Sequence, residues 1–346
     1  IKTDADIDLP LEKMVYQPDL SEANAFFERY EMKSLIKTEK AKVEHLESGD
    51  RFEDLQVKNI HIFAHYRLDT DWPHPFFGLA FSDGKLSCFV KTEDLHQEPN
   101  IINYLSNTEP KRVYDAKSFL HACDAAKVTV NGTFIDPMIL AYLDDSVVNT
   151  YERLQAKFNW PDYPKAVLND DTINLSRLIA LRMAEDTQVL LEKITVKNMR
   201  NLYDSVEEPL IRILYQMEKE GIRVDEEVLN TIADETLAKL NELSAQITAL
   251  AGHAFNVNSP KQLAEVLFGE LGLPSNRKQS TAIDVLESLA DAHPIVGKLI
   301  EYRKYQKLYS TYAQGLKKYI QADHKIHTVY SQTTAQTGRL SSYDPN

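Results

Sequence analysis

Two long amphipathic stretches constrain this chain more than any other feature. Between Glu226 and Gly252, Leu229, Ile232, Thr236, Leu240, Leu243, Ile247 and Leu250 recur at steps of three and four, the spacing of one helical face. Between Ile295 and Ala322 the same holds for Ile295, Leu299, Tyr302, Tyr309, Tyr312, Leu316 and Tyr319. At 1.5 Å per residue each stretch predicts a helix on the order of 40 Å long, the first stopped by Gly252. Joined by residues 253–294, two such helices predict an antiparallel arm rather than a compact bundle.

The preceding sequence has a different texture. Val57–Ala64, Phe76–Phe81 and Lys85–Val90 read as strands, the last two linked through Ser82-Asp83-Gly84 as a hairpin. Arg112–Tyr114 and Lys127–Val130 are shorter strand-like pieces, with helical patterns between them up to about Lys197, so residues 50–200 predict a mixed α/β layer domain. Ahead of it, Leu20–Ile36 reads as a helix capped by Ser21, followed by a charged linker from Lys37 to Asp50. A length of 346 residues fits two domains, and no internal repeat or low-complexity tract is present.

Charge argues against nucleic acid only in the mean. The net charge is −13, yet residues 296–326 carry Lys298, Arg303, Lys304, Lys307, Lys317, Lys318 and Lys325 against Glu301 and Asp323 alone. At a Debye length of about 8 Å a phosphate feels that local band rather than the whole protein. No run approaches the roughly 20 apolar residues of a membrane span, and the acidic start lacks the apolar core of a secretory signal. Cys88 and Cys123 form no C-x-x-C pair, which fits a reducing cytosol and gives neither a disulfide framework nor a zinc site. His61 and His65, four apart on a strand, stand roughly 13 Å apart, too far to share a metal ion. His74 reads as a loop residue, and the tyrosines of the second stripe as arm core rather than a base-stacking platform.

The final twenty residues carry the strongest signal. Thr337-Gly338-Arg339-Leu340-Ser341-Ser342 clusters hydroxyls around a glycine that lets backbone approach a partner, with one arginine able to reach minor-groove acceptors. On residue chemistry alone this is equally a polar turn with an exposed arginine. Preceded by His327-Thr328 and Gln332 and followed by Pro345-Asn346, however, the string resembles the start of the palm in family A DNA polymerases. Phe255–Leu263 and Glu301–Tyr312 are similar to that family's thumb, in its order and spacing, and Phe26–Leu35 resembles the last helix before its interdomain linker.

The resemblance implies a fold of α/β plus all-α type: a ribonuclease H-like 3′→5′ exonuclease-type domain, a helical thumb arm and the first strands of a polymerase palm. The expected boundaries are 1–49 for the tail of a 5′ nuclease region and linker, 50–200 for the exonuclease-like domain, 201–325 for the thumb and 326–346 for the palm start. It implies duplex contacts by Asn258 and Lys261 at the thumb's turn, by Ser280 and Thr281 at its tip, and by Arg303 and Lys307 one helical turn apart. The tip, Asn276–Thr281, is several residues shorter than the family's basic loop. Arg339 is expected to read the minor groove at the primer terminus, with Thr337, Ser341 and Asn346 positioning the strand.

An active exonuclease of this type needs carboxylates around two metal ions, beginning with Asp-x-Glu at the end of the first strand. That strand reads Ile62–Tyr66 without a carboxylate, Asp115 and Asp186 stand at the second and third motifs, and Arg182 replaces a tyrosine. Asp69 and Asp71 fall in the turn beyond. A vestigial nuclease domain is therefore expected, with no metal in this segment. The complete enzyme is expected to use Mg²⁺, bound by palm carboxylates beyond residue 346, to add deoxynucleotides from their triphosphates to a primer in repair and replication. This segment alone is expected not to polymerise but to grip primer–template DNA, as a monomer in the bacterial cytoplasm and nucleoid. The alternatives are an active 3′→5′ exonuclease fragment and a non-catalytic DNA-binding module.

Overall fold

The computed structural model describes residues 51–70, 72–274 and 280–346. The predicted helix at Leu20–Ile36, the segment Phe26–Leu35, the linker, Asp71 and most of the thumb tip lie outside the described residues. Two compact units form: one from the described residues up to Gln216 together with Ser331–Ser341, the other from Met217–Tyr330 with Ser342–Asn346.

The first unit is built on a five-stranded sheet of order β3-β2-β1-β4-β5. Its strands are β1 (His61–Tyr66), β2 (Phe76–Ser82), β3 (Ser87–Lys91), β4 (Lys111–Val113) and β5 (Phe134–Ile135). β1 runs antiparallel to β2, from His61↔Ser82 to Tyr66↔Phe76 with a register shift at the last pair, and parallel to β4. As the central strand it is buried along all six residues, His61 and His65 included, which is why its sequence shows no regular polar–apolar alternation. Around the sheet lie α1 (Pro99–Ser106), α2 (Ala116–Ala125), α3 (Pro137–Asp144), α4 (Tyr151–Phe158) and α5 (Asp170–Val196).

Helix α5 lies against β1, β2, β3 and α3. Its start is fixed by a reciprocal box in which Thr172 N–H donates to Asn169 Oδ1 at 2.9 Å and Asn169 N–H donates to Thr172 Oγ1 at 3.0 Å. Asp170 and Asp171 in the first turn suit the positive end of the helix dipole. A short turn at Arg200–Leu202 and a π-helical turn at Tyr203–Glu207 lead into α6 (Glu208–Glu220).

In the second unit, after β6 (Ile222–Arg223), α7 (Glu226–Ala251) is opened by Asp225, whose Oδ1 accepts from the amides of Glu227 and Val228. Gly252 closes it at φ +83°, as expected. The chain continues through α8 (Pro260–Ala264), α9 (Ile283–Ser288) and α10 (Pro294–Lys307). α7 packs along α10, burying Leu240, Leu243, Ile247, Ile295, Leu299 and Tyr302 in one cluster. At about 1.5–3 kcal/mol per large apolar side chain, that shared core holds the pair together.

The second long helix does not run through to Ala322. The α-helix ends at Lys307, a π-helical turn covers Leu308–Ala313, and a 3-10 turn covers Leu316–Tyr319. Gly315 joins these two turns with helical backbone angles, and an added Cβ there would fall 2.3 Å from the carbonyl oxygen of Thr311, four residues earlier. β7 (Lys325–Ile326) then pairs antiparallel with β6, and β8 (Val329–Ser331) and β9 (Ser341–Tyr343) form a second two-stranded sheet.

Candidate nucleic-acid interface

Between β8 and β9 the chain forms a tight turn in which Gly338 N–H donates to Ala335 O at 3.0 Å. Gly338 takes φ +77°, and an added Cβ there would meet no atom within 4 Å. Backbone sign, not crowding, therefore selects glycine here, and the outer side of the turn stays open. Thr337, Arg339 and Leu340 are exposed on that turn and Ser341 is half-buried. The inner side is tied down. Gln332, buried, donates through Nε2 to Glu207 O at 3.0 Å and Oε2 at 2.8 Å, and Tyr142 Oη donates to Ala335 O at 2.5 Å.

In the second unit, Asn346 is exposed and its Oδ1 accepts from Ser342 Oγ at 3.3 Å. Thr328 Oγ1 holds that terminal stretch through Tyr343 O at 3.1 Å and Pro345 O at 2.5 Å. Ser259 caps α8, leaving Lys261 exposed in its first turn. Lys307 is exposed at the end of α10, beside the equally exposed Lys304. Arg303, one turn earlier, is half-buried and committed: its guanidinium donates to Thr281 O and, at 3.3 Å, to Thr281 Oγ1. Thr281 is itself buried, and Ser280 half-buried with Oγ accepting from Ala282 N–H. Asn258 donates to Tyr302 Oη at 3.1 Å. The structure thus joins Arg303 to Thr281 and Asn258 to α10, with Lys261 and Lys307 projecting freely into solvent. Sequence spacing identified Arg303 and Lys307 as neighbours. It gave no sign of the Arg303–Thr281 bond, which spans 22 residues.

The sequence-predicted exonuclease residues lie in the first unit. Asp115 begins α2 in a left-handed conformation, φ +52°, and spends both oxygens on Ser118, from N–H at 3.2 Å and Oγ at 2.6 Å. Asp186 Oδ2 accepts from Trp160 Nε1 at 2.6 Å, and burial pushes its carboxyl up to about 6. Asp136, which the sequence reading missed, begins α3. Buried, it accepts from Ala116 N–H at 2.8 Å and Met138 N–H at 2.9 Å, while burial and then the charge of Asp115 push it up to about 7. Its signal was present as an Asp-Pro pair at a helix start.

Where a metal-dependent nuclease needs carboxylates, the end of β1 offers His65 and Tyr66. His65 is fully buried and donates Nε2–H to Lys165 O at 2.8 Å, which leaves Nδ1 with no partner, and burial lowers its pKa. The Tyr66 hydroxyl is buried without a hydrogen-bond partner, and burial and then Asp115 raise its pKa. Tyr163 packs on Phe63 at 5.5 Å and Tyr151 at 4.8 Å between ring centroids, and Tyr151 on Tyr114 at 5.5 Å. Among the described residues no group of three or more His, Cys, Asp or Glu side chains is arranged to hold a metal ion. This donor set does not fit a pair of divalent cations.

Residues 226–346 match the family described as DNA polymerase family A, and residues 69–173 match the ribonuclease H-like domain of DNA polymerase I. DNA polymerase I of Bacillus subtilis (strain 168) is 31% identical over 380 residues, covering 100% of this chain and 43% of that protein. DNA polymerase I of Streptococcus pneumoniae (strain ATCC BAA-255 / R6) is 33% identical over 374 residues, covering 100% and 42%. This chain therefore spans less than half the length of these curated relatives. A solved structure, the POL domain of Pol1 from M. smegmatis in complex with DNA primer-template and dNTP, superposes with a TM-score of 0.72 at 24% identity, covering 96% of this chain and 54% of that one. That likeness extends the fold, the ribonuclease H-like sheet followed by the helical region, over nearly the whole chain. The chain belongs to DNA polymerase family A, in the group of the bacterial DNA polymerases I.

Proposed function

We propose that this chain is the duplex-gripping part of a DNA polymerase I-type enzyme that extends primers in replication and repair. In this reading the second unit carries the thumb, Arg339 reads the minor groove at the primer end, and the first unit carries an exonuclease-like domain that does not hydrolyse DNA. The observation that carries the reading is the turn at Ala335–Gly338. It is bonded on its inner side and open on its outer side, where Thr337 and Arg339 project.

The physical logic is a division of labour. Lys261 and Lys307 are exposed cations suited to phosphates, whose neutralisation releases counterions and supplies affinity without sequence preference. Arg339 meets the minor-groove acceptors N3 and O2, which stand in nearly the same place for every correctly shaped pair, so one guanidinium tests pair shape rather than sequence. Thr337, Ser341 and Asn346 hold the strand beside it. Arg303 and Thr281 stiffen the phosphate-binding surface through the bonds between them, and Asn258 through its bond to Tyr302, with Ser280 next to Thr281 in sequence. When bound, Mg²⁺ would supply charge neutralisation for phosphoryl transfer from deoxynucleoside triphosphates, on carboxylates the family resemblance puts beyond these residues. The reading takes the protein as a cytoplasmic, nucleoid-associated monomer. No helix among the described residues is long and apolar enough to cross a membrane.

Fluorescence anisotropy of a labelled primer–template against salt concentration tests the proposal. Binding should weaken steeply with salt, and Arg339→Ala should lower affinity for a paired primer end while leaving an unprimed duplex unaffected. Equal affinity of the native protein for primed and unprimed DNA would sink the terminus-reading role and favour a general DNA-binding module.

A further inference from the structure

The turn that presents Arg339 is held in part by the exonuclease-like domain. Tyr142 is buried on α3, and its hydroxyl donates to Ala335 O at 2.5 Å. That carbonyl also accepts the Gly338 amide that closes the turn, at 3.0 Å. Asn149, just beyond α3, donates Nδ2–H to Thr334 O at 3.3 Å. The orientation of its amide is set chemically: Arg153 Nη1 can only donate, and it contacts Asn149 Oδ1 at 2.9 Å and Val147 O at 2.6 Å. The NH₂ group must therefore face Thr334. On the other side, Gln332 is fixed by Glu207, at the end of the π-helical turn Tyr203–Glu207. All these residues belong to one compact unit, and α3 is anchored by Met138, Ile139, Leu140 and Ala141 in its core.

We infer that Tyr142 and Asn149 are positioning residues for minor-groove reading, and that this contact is the working role of the exonuclease-like domain. The inference rests on the proposed role of Arg339. Consecutive carbonyls, Thr334 and Ala335, are pinned five and four residues before the arginine. Without them the turn keeps its glycine and its internal bond but loses its fixed direction. A guanidinium that must lie within about 3 Å of a base acceptor is sensitive to that loss.

The test uses two readouts on the purified chain with Tyr142→Phe, Asn149→Ala, and Tyr104→Phe as a control that removes another buried hydroxyl, one bonded to Ile60 O. The first is hydrogen exchange of the amides at 333–340 without DNA. Tyr142→Phe should speed it about tenfold, the factor set by one hydrogen bond near 1.4 kcal/mol, and Tyr104→Phe should not. The second is the affinity ratio for primers ending in guanine against 3-deazaguanine, which lacks the minor-groove N3 acceptor. Tyr142→Phe and Asn149→Ala should move that ratio several-fold toward one, with affinity for unprimed duplex unchanged. If Arg339→Ala leaves the ratio at its native value, the minor-groove reading fails and the inference falls with it. If Arg339→Ala abolishes the ratio while both positioning variants keep it, the reading stands and the inference is overturned, whatever the exchange rates.

Discussion

Asp136 should make the first unit lose stability as pH rises, against the usual behaviour of a carboxylate. The group is buried and stands at about 7 in the fold against 3.8 for its ordinary value. Below about pH 4 it is protonated in both folded and unfolded chains, and its stabilising contribution is then fully present. Between pH 4 and 7 only the folded chain holds the proton, so raising the pH draws the equilibrium toward the unfolded state. At 1.36 kcal/mol per pH unit, the rise from 3.8 to about 7 is worth about 4 kcal/mol by pH 8.

His61 acts in the opposite sense. Burial lowers it from 6.5 to about 4, so its contribution is present above 6.5 and lost as pH falls through 4. The wild-type profile is therefore a partial cancellation, and the difference from Asp136→Asn isolates the carboxyl. Asparagine keeps one acceptor for the cap at Met138 and loses the one facing Ala116 N–H, a cost of about 1–3 kcal/mol. The variant should be the less stable at pH 5 and close the gap, or reverse it, by pH 8. Urea denaturation followed by tryptophan fluorescence reports the first unit alone, because Trp72 and Trp160 both lie there. Parallel stability curves for the two proteins from pH 5 to 8 would refute the reasoning.

Trp160→Phe removes the donor from a half-buried carboxylate and leaves space around the ring; about 1–3 kcal/mol should be lost in urea melts followed by circular dichroism, and the Asp186 carboxyl should titrate higher still, since the indole bond lowers it. Gly315→Ala forces a methyl against the Thr311 carbonyl and should cost about 1–3 kcal/mol in the second unit, with the tryptophan-detected transition of the first unchanged. Lys307→Ala and Lys261→Ala should each reduce the slope of log affinity against log salt by about 0.9, one phosphate apiece, and lower affinity alike for all duplex sequences.

What the sequence made legible follows period and punctuation. The hairpin of β2 and β3 was readable because apolar runs flank an Asp-Gly turn, and α7 because its stripe is closed by Gly252. The second stripe kept its period past Lys307 while the backbone left the α-helix, because side-chain spacing carries no record of the close approach at Gly315. Lys127–Val130 reads as a strand and is instead a left-handed turn at Lys127, φ +57°, followed by a stretch outside the sheet. Val128 and Val130 are buried, but the amides of Val128 and Asn131 donate to Cys123 O and Leu105 O rather than to a ladder. At the site, the Arg339 motif was legible as a string. The groups that hold it were not, since Tyr142 meets Ala335 across 193 residues and Gln332 meets Glu207 across 125. Nor was the aromatic filling at the end of β1, which requires knowing that Tyr66, Tyr114 and Tyr163 converge with Asp115 and Asp136.

The most direct test of the account is one incubation: the chain with a 5′-labelled primer–template and Mg²⁺, without nucleotides, resolved on native and denaturing gels. The account predicts a retarded complex in which the primer keeps its full length. A shortened primer would contradict it, and would mean that the carboxylates Asp115, Asp136 and Asp186 hold metal ions after all.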